Sequence, residues 1–113
     1  MSKYGARKIK YNGIEFDSHM EQLRYCQLKL LERAGKISDL RTQVKYELLP
    51  TQYREDGKVA ERPVVYIADF VYVDHDRKMV VVEDAKGAKT KDYIIKRKLM
   101  RYIKGIEIQE VKA

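Results

Sequence analysis

Two apolar runs joined by a short polar segment constrain the fold of this chain more than any other feature. They cover residues 64–73 and 79–82, and the polar residues 74–77 lie between them. Both runs are apolar at odd and even positions, with Asp69 as the main exception, and this is typical of strands covered on both faces. A short turn joins antiparallel neighbours. The sequence therefore predicts an antiparallel strand pair inside a sheet with layers on both sides.

Local signals predict a hairpin and two helices around these strands. Asn12-Gly13 indicates a hairpin turn within residues 8–16, because both turn positions need positive φ. Ser18 and Glu21 have the spacing of a capping box, which starts a helix predicted over residues 18–34. A second helix is predicted over residues 91–103, and Thr90 and Gly105 are its N-cap and its stop. The predicted buried stripes are Met20, Leu23, Gln27, Leu30, Leu31 and Ala34 in the first helix, and Ile95, Leu99 and Tyr102 in the second.

The strand signals complete an αβββαβ order behind the hairpin. Strands are predicted over residues 44–49, with an extension to 54 left open, and over 64–73, 78–85 and 106–111. The fold class expected is α/β (α+β), with a mixed central sheet flanked by helices. One domain of 113 residues is expected, with a basic arm and hairpin at 1–17 and a core at 18–111.

The charge balance bears on the partners of the chain. Charged residues make up 36% of the sequence, the formal net charge is +7 and the pI is about 9.4. A small basic domain often binds nucleic acid, although many basic proteins do not. The single cysteine excludes an intramolecular disulfide, and no apolar run approaches the roughly 20 residues that span a bilayer. A soluble cytoplasmic protein without a membrane partner is expected.

Two carboxylates and a lysine are predicted to share one face of the strand pair. With residues 74–77 as the turn, Asp69 lies opposite Val82 and diagonal to Asp84. Lys86 lies on the same face as Asp84, because side chains alternate along a strand. A slip of one residue would place Glu83 there instead, so the sequence leaves the choice between Glu83 and Asp84 open.

Such a cluster suits metal-assisted phosphodiester hydrolysis. Carboxylates hold Mg²⁺ through the oxygen ligands that it prefers, and Mn²⁺ is expected to substitute. The metal neutralises phosphate charge and lowers the pKa of a bound water, and a lysine can stabilise the developing negative charge. The structural alternative is a buried Asp–Lys ion pair at a solvated strand end. No small-molecule organic cofactor is expected.

These residues resemble the PD-(D/E)XK nuclease superfamily, which has the restriction-endonuclease-like αβββαβ core. Asp69 matches the first acid of the motif, although Ala68 replaces its proline, and Asp84-Ala85-Lys86 matches D/E-X-K. More narrowly, the chain resembles a family of small phage and prophage proteins of unassigned function. That resemblance is carried by Phe16-Asp17-Ser18, Glu21, Arg24-Tyr25, Gly35-Lys36-Ile37, Gln43, Tyr66-Ile67-Ala68-Asp69-Phe70, Val82-Glu83-Asp84-Ala85-Lys86-Gly87 and Lys96-Arg97-Lys98-Leu99.

The resemblance implies roles for individual residues. Asp69, Asp84 and the backbone carbonyl of Ala85 would be metal ligands, and Lys86 would be the catalytic lysine. Glu21 would bind metal directly or through water; its structural alternative is the N3 partner of Ser18 in the capping box. Gln43 leads into a strand and would support the site, with hydrogen bonding at the sheet edge as the alternative.

A basic surface near the second helix would contact DNA phosphates. Its members are Lys89, Lys91, Lys96, Arg97, Arg101 and Lys104, and an ordinary solvated helix face is equally compatible with each of them. The leading hypothesis is therefore a Mg²⁺-dependent DNA endonuclease of phage type. By analogy, it would act on branched DNA such as a Holliday junction, and a homodimer would place two sites on two strands. The alternatives are a non-catalytic DNA- or protein-binding module on the same fold and an RNA-directed nuclease.

Overall fold

The computed structural model describes residues 9–86 and 89–112. The predicted basic arm at residues 1–8, and Gly87, lie outside them. The described chain forms a mixed α+β fold, in which a central mixed sheet carries one helix on each face and an antiparallel hairpin precedes the first helix. The expected fold class is confirmed.

The N-terminal hairpin and the first helix follow their local signals closely. Strands β1 (Ile9–Tyr11) and β2 (Ile14–Phe16) pair antiparallel around Asn12 and Gly13, which have φ of 54° and 78°. Helix α1 (His19–Arg33) begins after Ser18, whose hydroxyl accepts a hydrogen bond from the Glu21 backbone N–H at 3.1 Å. The predicted turn and N-cap are confirmed.

The central sheet has the order β3-β6-β7-β8. Its strands in the described ranges are β3 (Ile37–Leu49), β6 (Val64–Asp74), β7 (Met79–Ala85) and β8 (Gln109–Val111). Strand β8 runs parallel to β7, and the other neighbouring pairs are antiparallel. Strand β3 is longer than the predicted 44–49. A separate small hairpin of β4 (Gln52–Tyr53) and β5 (Val59–Glu61) connects β3 to β6, so the extension to residue 54 is wrong.

The turn between β6 and β7 lies one residue later than predicted, and this changes the register of the central strand pair. Asp74 remains in β6 opposite Met79, so Val71, and not Asp69, lies opposite Val82. The Asp74 carboxylate accepts hydrogen bonds from the backbone N–H groups of Asp76 and Arg77, which moves the turn to residues 75–78. The correction shifts the pairing by two residues, and a shift of two keeps residues 70–74 on their predicted faces.

The second α-helix is shorter than predicted, because its last turn is π-helical. Helix α2 (Lys91–Leu99) begins after Thr90, whose hydroxyl accepts from the Tyr93 N–H at 3.1 Å, and a π-helical segment (Met100–Lys104) follows. Gly105 ends it with φ of 67°. The Ile106 N–H donates a hydrogen bond to the Met100 carbonyl. Strand β8 begins at Gln109, three residues later than predicted.

The two faces of the sheet carry separate cores. The α1-side core contains Phe16, Tyr25, Leu28, Ile37, Phe70, Tyr72 and Val81. The α2-side core contains Leu48, Tyr66, Ala68, Val71, Val82, Tyr93, Met100 and Ile108. Both faces are covered, as the two apolar runs predicted.

The predicted buried stripe of α1 is wrong, and that of the second helix is confirmed only at Leu99, which packs partly buried against the α2-side core. In α1, Glu21, Tyr25 and Leu28 are buried, whereas Leu30 is 62% exposed. In α2 and its π-helical continuation, Tyr93 and Met100 are buried, and Tyr102 is 90% exposed. Apolar spacing misleads because the buried face of each helix carries part of the polar cluster described below. Neither helix in the described ranges is long and apolar enough to cross a membrane.

Candidate active site

The predicted site residues meet at one cavity of about 440 Å³ beside the sheet. The residues that define its chemistry are Glu21, Gln43, Asp69, Asp84, Ala85 and Lys86. They come from helix α1, from strands β3, β6 and β7, and from the first residue after β7. The tertiary structure therefore assembles the acids and the lysine that the sequence singled out.

The two oxygens of Asp84 have different surroundings. The side chain is 2% exposed, and its Oδ2 accepts a hydrogen bond from the Tyr66 hydroxyl. Its Oδ1 lies 3.2 Å from the Lys86 ammonium but forms no hydrogen bond within the described part of the chain. The Lys86 ammonium is close enough to Oδ1 for an ion pair, but the contact does not have hydrogen-bond geometry. Oδ1 therefore keeps lone pairs that are available to a further ligand. A buried polar atom of this kind requires an explanation, and a role in binding a cation is one explanation.

Lys86 is held between the sheet and helix α2. Its backbone N–H donates to the Val111 carbonyl at 3.1 Å, so β8 fixes the main chain at this position. Its ammonium lies 4.4 Å from the centre of the Tyr93 ring, a distance suited to a cation–π contact. The side chain is 29% exposed. The lysine is thus oriented toward Asp84 while remaining accessible to a ligand in the cavity.

Asp69 is the acid of the site with the most strongly raised pKa. Its Oδ2 accepts a hydrogen bond from the Ala85 N–H at 2.9 Å. Burial raises the pKa of Asp69 to about 9, and the negative charges of Asp84 and Glu21 act in the same direction. Asp69 and Glu21, both with raised pKa values, lie beside a third buried acid, and a cation would stabilise this cluster.

Glu21 belongs to this cluster and not only to the helix cap. Its backbone N–H serves the Ser18 cap, but its carboxylate accepts a hydrogen bond from Gln43 Nε2 at 3.1 Å. Burial raises its pKa, and the charges of Asp17 and Asp84 contribute. The predicted supporting role of Gln43 thus has a concrete form: it orients the Glu21 carboxylate in the cavity.

The strand geometry is irregular at two residues of the site, Asp69 and Gln43. Tyr66 and Ala68 belong to the α2-side core, whereas Phe70 belongs to the α1-side core, so side-chain alternation breaks at Asp69. On the neighbouring strand, Gln43 has a φ of 52°. A non-glycine residue with positive φ inside a strand is uncommon, and such conformations cluster at functional sites. The break brings a β6 acid within reach of both α1 and β7.

The structure decides the open choice between Glu83 and Asp84. Glu83 is fully buried on the opposite face, where Arg24 donates to both of its oxygens at 2.6 and 2.9 Å. The Tyr72 hydroxyl also donates to Glu83. Arg24 and Tyr72 occupy both oxygens of Glu83 outside the cavity, and Asp84 is the acid of the two that lines it.

The donors at the cavity fit a hard divalent cation with an incomplete protein shell. Within residues 9–86 and 89–112, no three acids, histidines or cysteines converge tightly enough to hold a metal alone. Mg²⁺ commonly uses one or two carboxylates and completes its octahedron with waters and substrate phosphate oxygens. Asp69 and the free Oδ1 of Asp84 provide such a pair, with Glu21 and Ala85 alongside.

The basic residues predicted for DNA binding fall into two groups, those that form an ion pair with Glu110 and those that do not. Lys89 and Arg97 lie 3.1 and 3.2 Å from the Glu110 carboxylate, and with Tyr93 they lower its pKa to about 2. Lys96 instead lines the active-site cavity. Lys91, Arg101 and Lys104 are exposed. In the described part of the chain, none of these last four has an ion pair, so they are the stronger candidates for phosphate contacts.

Sequence reasoning missed the tyrosines that support the cluster. Tyr66 binds Asp84, and Tyr93 lies under Lys86 and donates to Glu110 at 2.6 Å. Burial raises the pKa of both tyrosines, so both remain protonated donors. Their abundance in the sequence was visible, but a tyrosine in an apolar run gives no signal of where its hydroxyl points.

The comparisons with known proteins assign the chain to a family. A family model described as "Protein of unknown function (DUF1064)" matches residues 1–112, so the chain belongs to the DUF1064 family. Neither a search of curated proteins nor a search of solved structures found a match.

Proposed function

We propose that this protein is a metal-dependent DNA endonuclease of the PD-(D/E)XK type. The observation that carries the proposal is the meeting of Asp69, Asp84 and Lys86 in one cavity, with an oxygen of Asp84 left without a hydrogen bond. The αβββαβ order and the contribution of Glu21 from the first helix also fit the resemblance. The reaction proposed is hydrolysis of a phosphodiester bond.

Each residue has a task in this mechanism. Asp69, Asp84 and the Ala85 carbonyl would hold Mg²⁺ or Mn²⁺, with Glu21 bound directly or through water. The bound metal would supply charge neutralisation at the phosphate and a lowered pKa for an attacking water. Lys86 would stabilise the developing negative charge on the phosphate oxygens, since its ammonium already faces the cavity. Gln43 would keep the Glu21 carboxylate in place.

The charge distribution supports a nucleic acid as substrate. Lys96 lines the cavity, and Lys91, Arg101 and Lys104 are exposed along α2 and its π-helical continuation. These charges extend from the cavity along one element, as an anionic backbone would require. Within this proposal, the substrate is branched DNA such as a four-way junction, cut by a homodimer that carries one site for each strand.

The test compares substrates and metals in one experiment. The purified protein is incubated with supercoiled plasmid, linear duplex, a four-way junction and single-stranded RNA, in Mg²⁺, Mn²⁺ or EDTA. Metal-dependent DNA cleavage that is lost in Lys86→Ala supports the proposal, and the preferred substrate reports the DNA shape. Preferential cleavage of RNA would replace the DNA assignment.

A second candidate is a non-catalytic DNA-binding module. It is favoured by the ion pair between Lys86 and Asp84, which gives this buried acid a cationic partner from the protein itself. On this alternative, the protein shifts the mobility of the same DNAs in Mg²⁺ and Mn²⁺ but cuts none of them. Binding without cleavage by the folded protein would therefore reject the nuclease and support the module.

A further inference from the structure

The hydrogen bond from Tyr66 makes the two oxygens of Asp84 unequal. The Tyr66 hydroxyl donates to Oδ2, whereas Oδ1 is the oxygen near Lys86 that has no hydrogen bond within the described residues. A carboxylate that already accepts a strong hydrogen bond on one oxygen has the other oxygen free to bind a cation. The geometry thus favours a single coordinating oxygen.

Packing holds Tyr66 in this role. The side chain is 3% exposed, and its ring stacks near Tyr46 at 6.5 Å between centroids and lies 6.4 Å from Tyr93. A ring enclosed on two sides has little freedom to withdraw its hydroxyl from Asp84. The hydrogen bond is therefore a built feature of the site, present before a cation arrives.

We propose that Tyr66 sets the cation selectivity of the site by confining Asp84 to coordination through Oδ1. The inference rests on the proposed function and names a specificity residue for it. Ca²⁺ takes 6–8 oxygens and often uses both oxygens of a carboxylate, whereas Mg²⁺ needs a compact octahedron. A monodentate Asp84 suits Mg²⁺ and Mn²⁺, and a bidentate one would admit Ca²⁺.

The opposite face of β7 provides a matched control. Tyr72 donates its hydroxyl to the buried Glu83, as Tyr66 does to Asp84, but Glu83 is paired with Arg24 outside the cavity. Tyr72→Phe therefore removes the same kind of hydrogen bond and a comparable amount of stability without touching the site. Any effect on cations that is specific to Tyr66→Phe then reports on Asp84.

The experiment measures cation binding by titration calorimetry on the protein without DNA. Wild type, Tyr66→Phe and Tyr72→Phe are titrated with Mg²⁺, Mn²⁺ and Ca²⁺, and circular dichroism checks that each is folded. Tyr66→Phe is expected to raise the affinity for Ca²⁺ relative to Mg²⁺ about tenfold, and Tyr72→Phe to leave the ratio unchanged. An unchanged ratio in Tyr66→Phe overturns this inference alone, whereas a wild-type protein that binds none of the three cations overturns the proposed function as well.

A second measurement covers the case in which Tyr66→Phe does not fold. A crystal structure of the wild-type protein with Mn²⁺ shows how Asp84 binds the ion. Coordination through Oδ1, with Tyr66 still on Oδ2, supports the inference. Coordination through both oxygens overturns it.

Discussion

Glu83 and Asp84 are consecutive acids on one strand, equally buried, and their surroundings differ completely. Glu83 receives two hydrogen bonds from Arg24 and one from Tyr72. Asp84 receives one from Tyr66 and lies beside a partly exposed lysine, with Oδ1 free of hydrogen bonds among the described residues. Alternation along the strand turns one acid toward α1 and the other toward the cavity.

We interpret this difference as one between a structural acid, Glu83, and a candidate functional acid, Asp84. A buried charge that is paired and fully hydrogen-bonded fixes one element against another, and here it fastens α1 to β7. A buried charge left incompletely paired, next to two further acids, is costly without a ligand and is typical of an active site.

The largest expected effect comes from neutralising each acid in turn. We expect Asp84→Asn to reduce metal-dependent DNA cleavage by a factor of about 10³ or more, because the site loses a ligand charge. Glu83→Gln is expected to retain cleavage when assayed well below its melting temperature. Initial rates on plasmid DNA measure both, and a stronger loss in Glu83→Gln would reverse the assignment.

The next effect is on stability, at the Glu83–Arg24 pair. Arg24→Met leaves a buried carboxylate without its partner, and we expect a loss of about 3 kcal/mol in the free energy of unfolding. The double variant Arg24→Met/Glu83→Met removes both charges and is expected to recover most of this loss. Urea unfolding measures each variant. Additive losses in the double variant would show that the pair is not coupled.

A smaller effect, of opposite sign, is expected at Asp69. Asp69→Asn keeps an acceptor for the Ala85 N–H but removes a carboxyl whose ionisation is opposed by burial and by the charges of Asp84 and Glu21. We expect the metal-free variant to gain at least about 1 kcal/mol in unfolding free energy, and to lose the stabilisation that Mn²⁺ gives the wild type. Thermal melts with EDTA and with Mn²⁺ measure both. Destabilisation in EDTA would mean that the acids do not repel one another.

The smallest effect separates the cap of α1 from its acid. Ser18→Ala removes the acceptor for the Glu21 N–H and is expected to cost about 1 kcal/mol of stability with cleavage intact. Glu21→Gln keeps the cap and is expected to lower cleavage without lowering stability. If Glu21→Gln were fully active, Glu21 would be a cap residue and nothing more.

Local features of the fold were predictable, because local chemistry decides them. The Asn12-Gly13 turn, the Ser18 and Thr90 caps and the Gly105 stop all lie where the sequence predicts them. The buried helix faces were not predictable from apolar spacing. Helix α1 buries Glu21 and partly buries Arg24, so its inward face reads as polar in the sequence, while Leu30 remains exposed.

The site was predictable in its members but not in its geometry. Asp69, Asp84 and Lys86 stand out because acids and lysines are unusual beside buried strands. The turn after β6 lies one position later than predicted, and the break in alternation at Asp69 gave no signal in the sequence. The hydroxyls of Tyr66 and Tyr93 gave no signal at all, since a ring in a strand or helix packs in the same way whether or not its hydroxyl has a polar target.

By itself, the sequence determined the order of elements, the turns and the caps, because these depend on backbone preferences and on neighbours a few residues away. The tertiary structure alone decided which of two adjacent acids faces the cavity and which is neutralised by Arg24. Register is settled by the turn and by packing across the whole sheet, and a change of one residue would exchange the two faces. Long-range pairing therefore determined which acid lines the cavity.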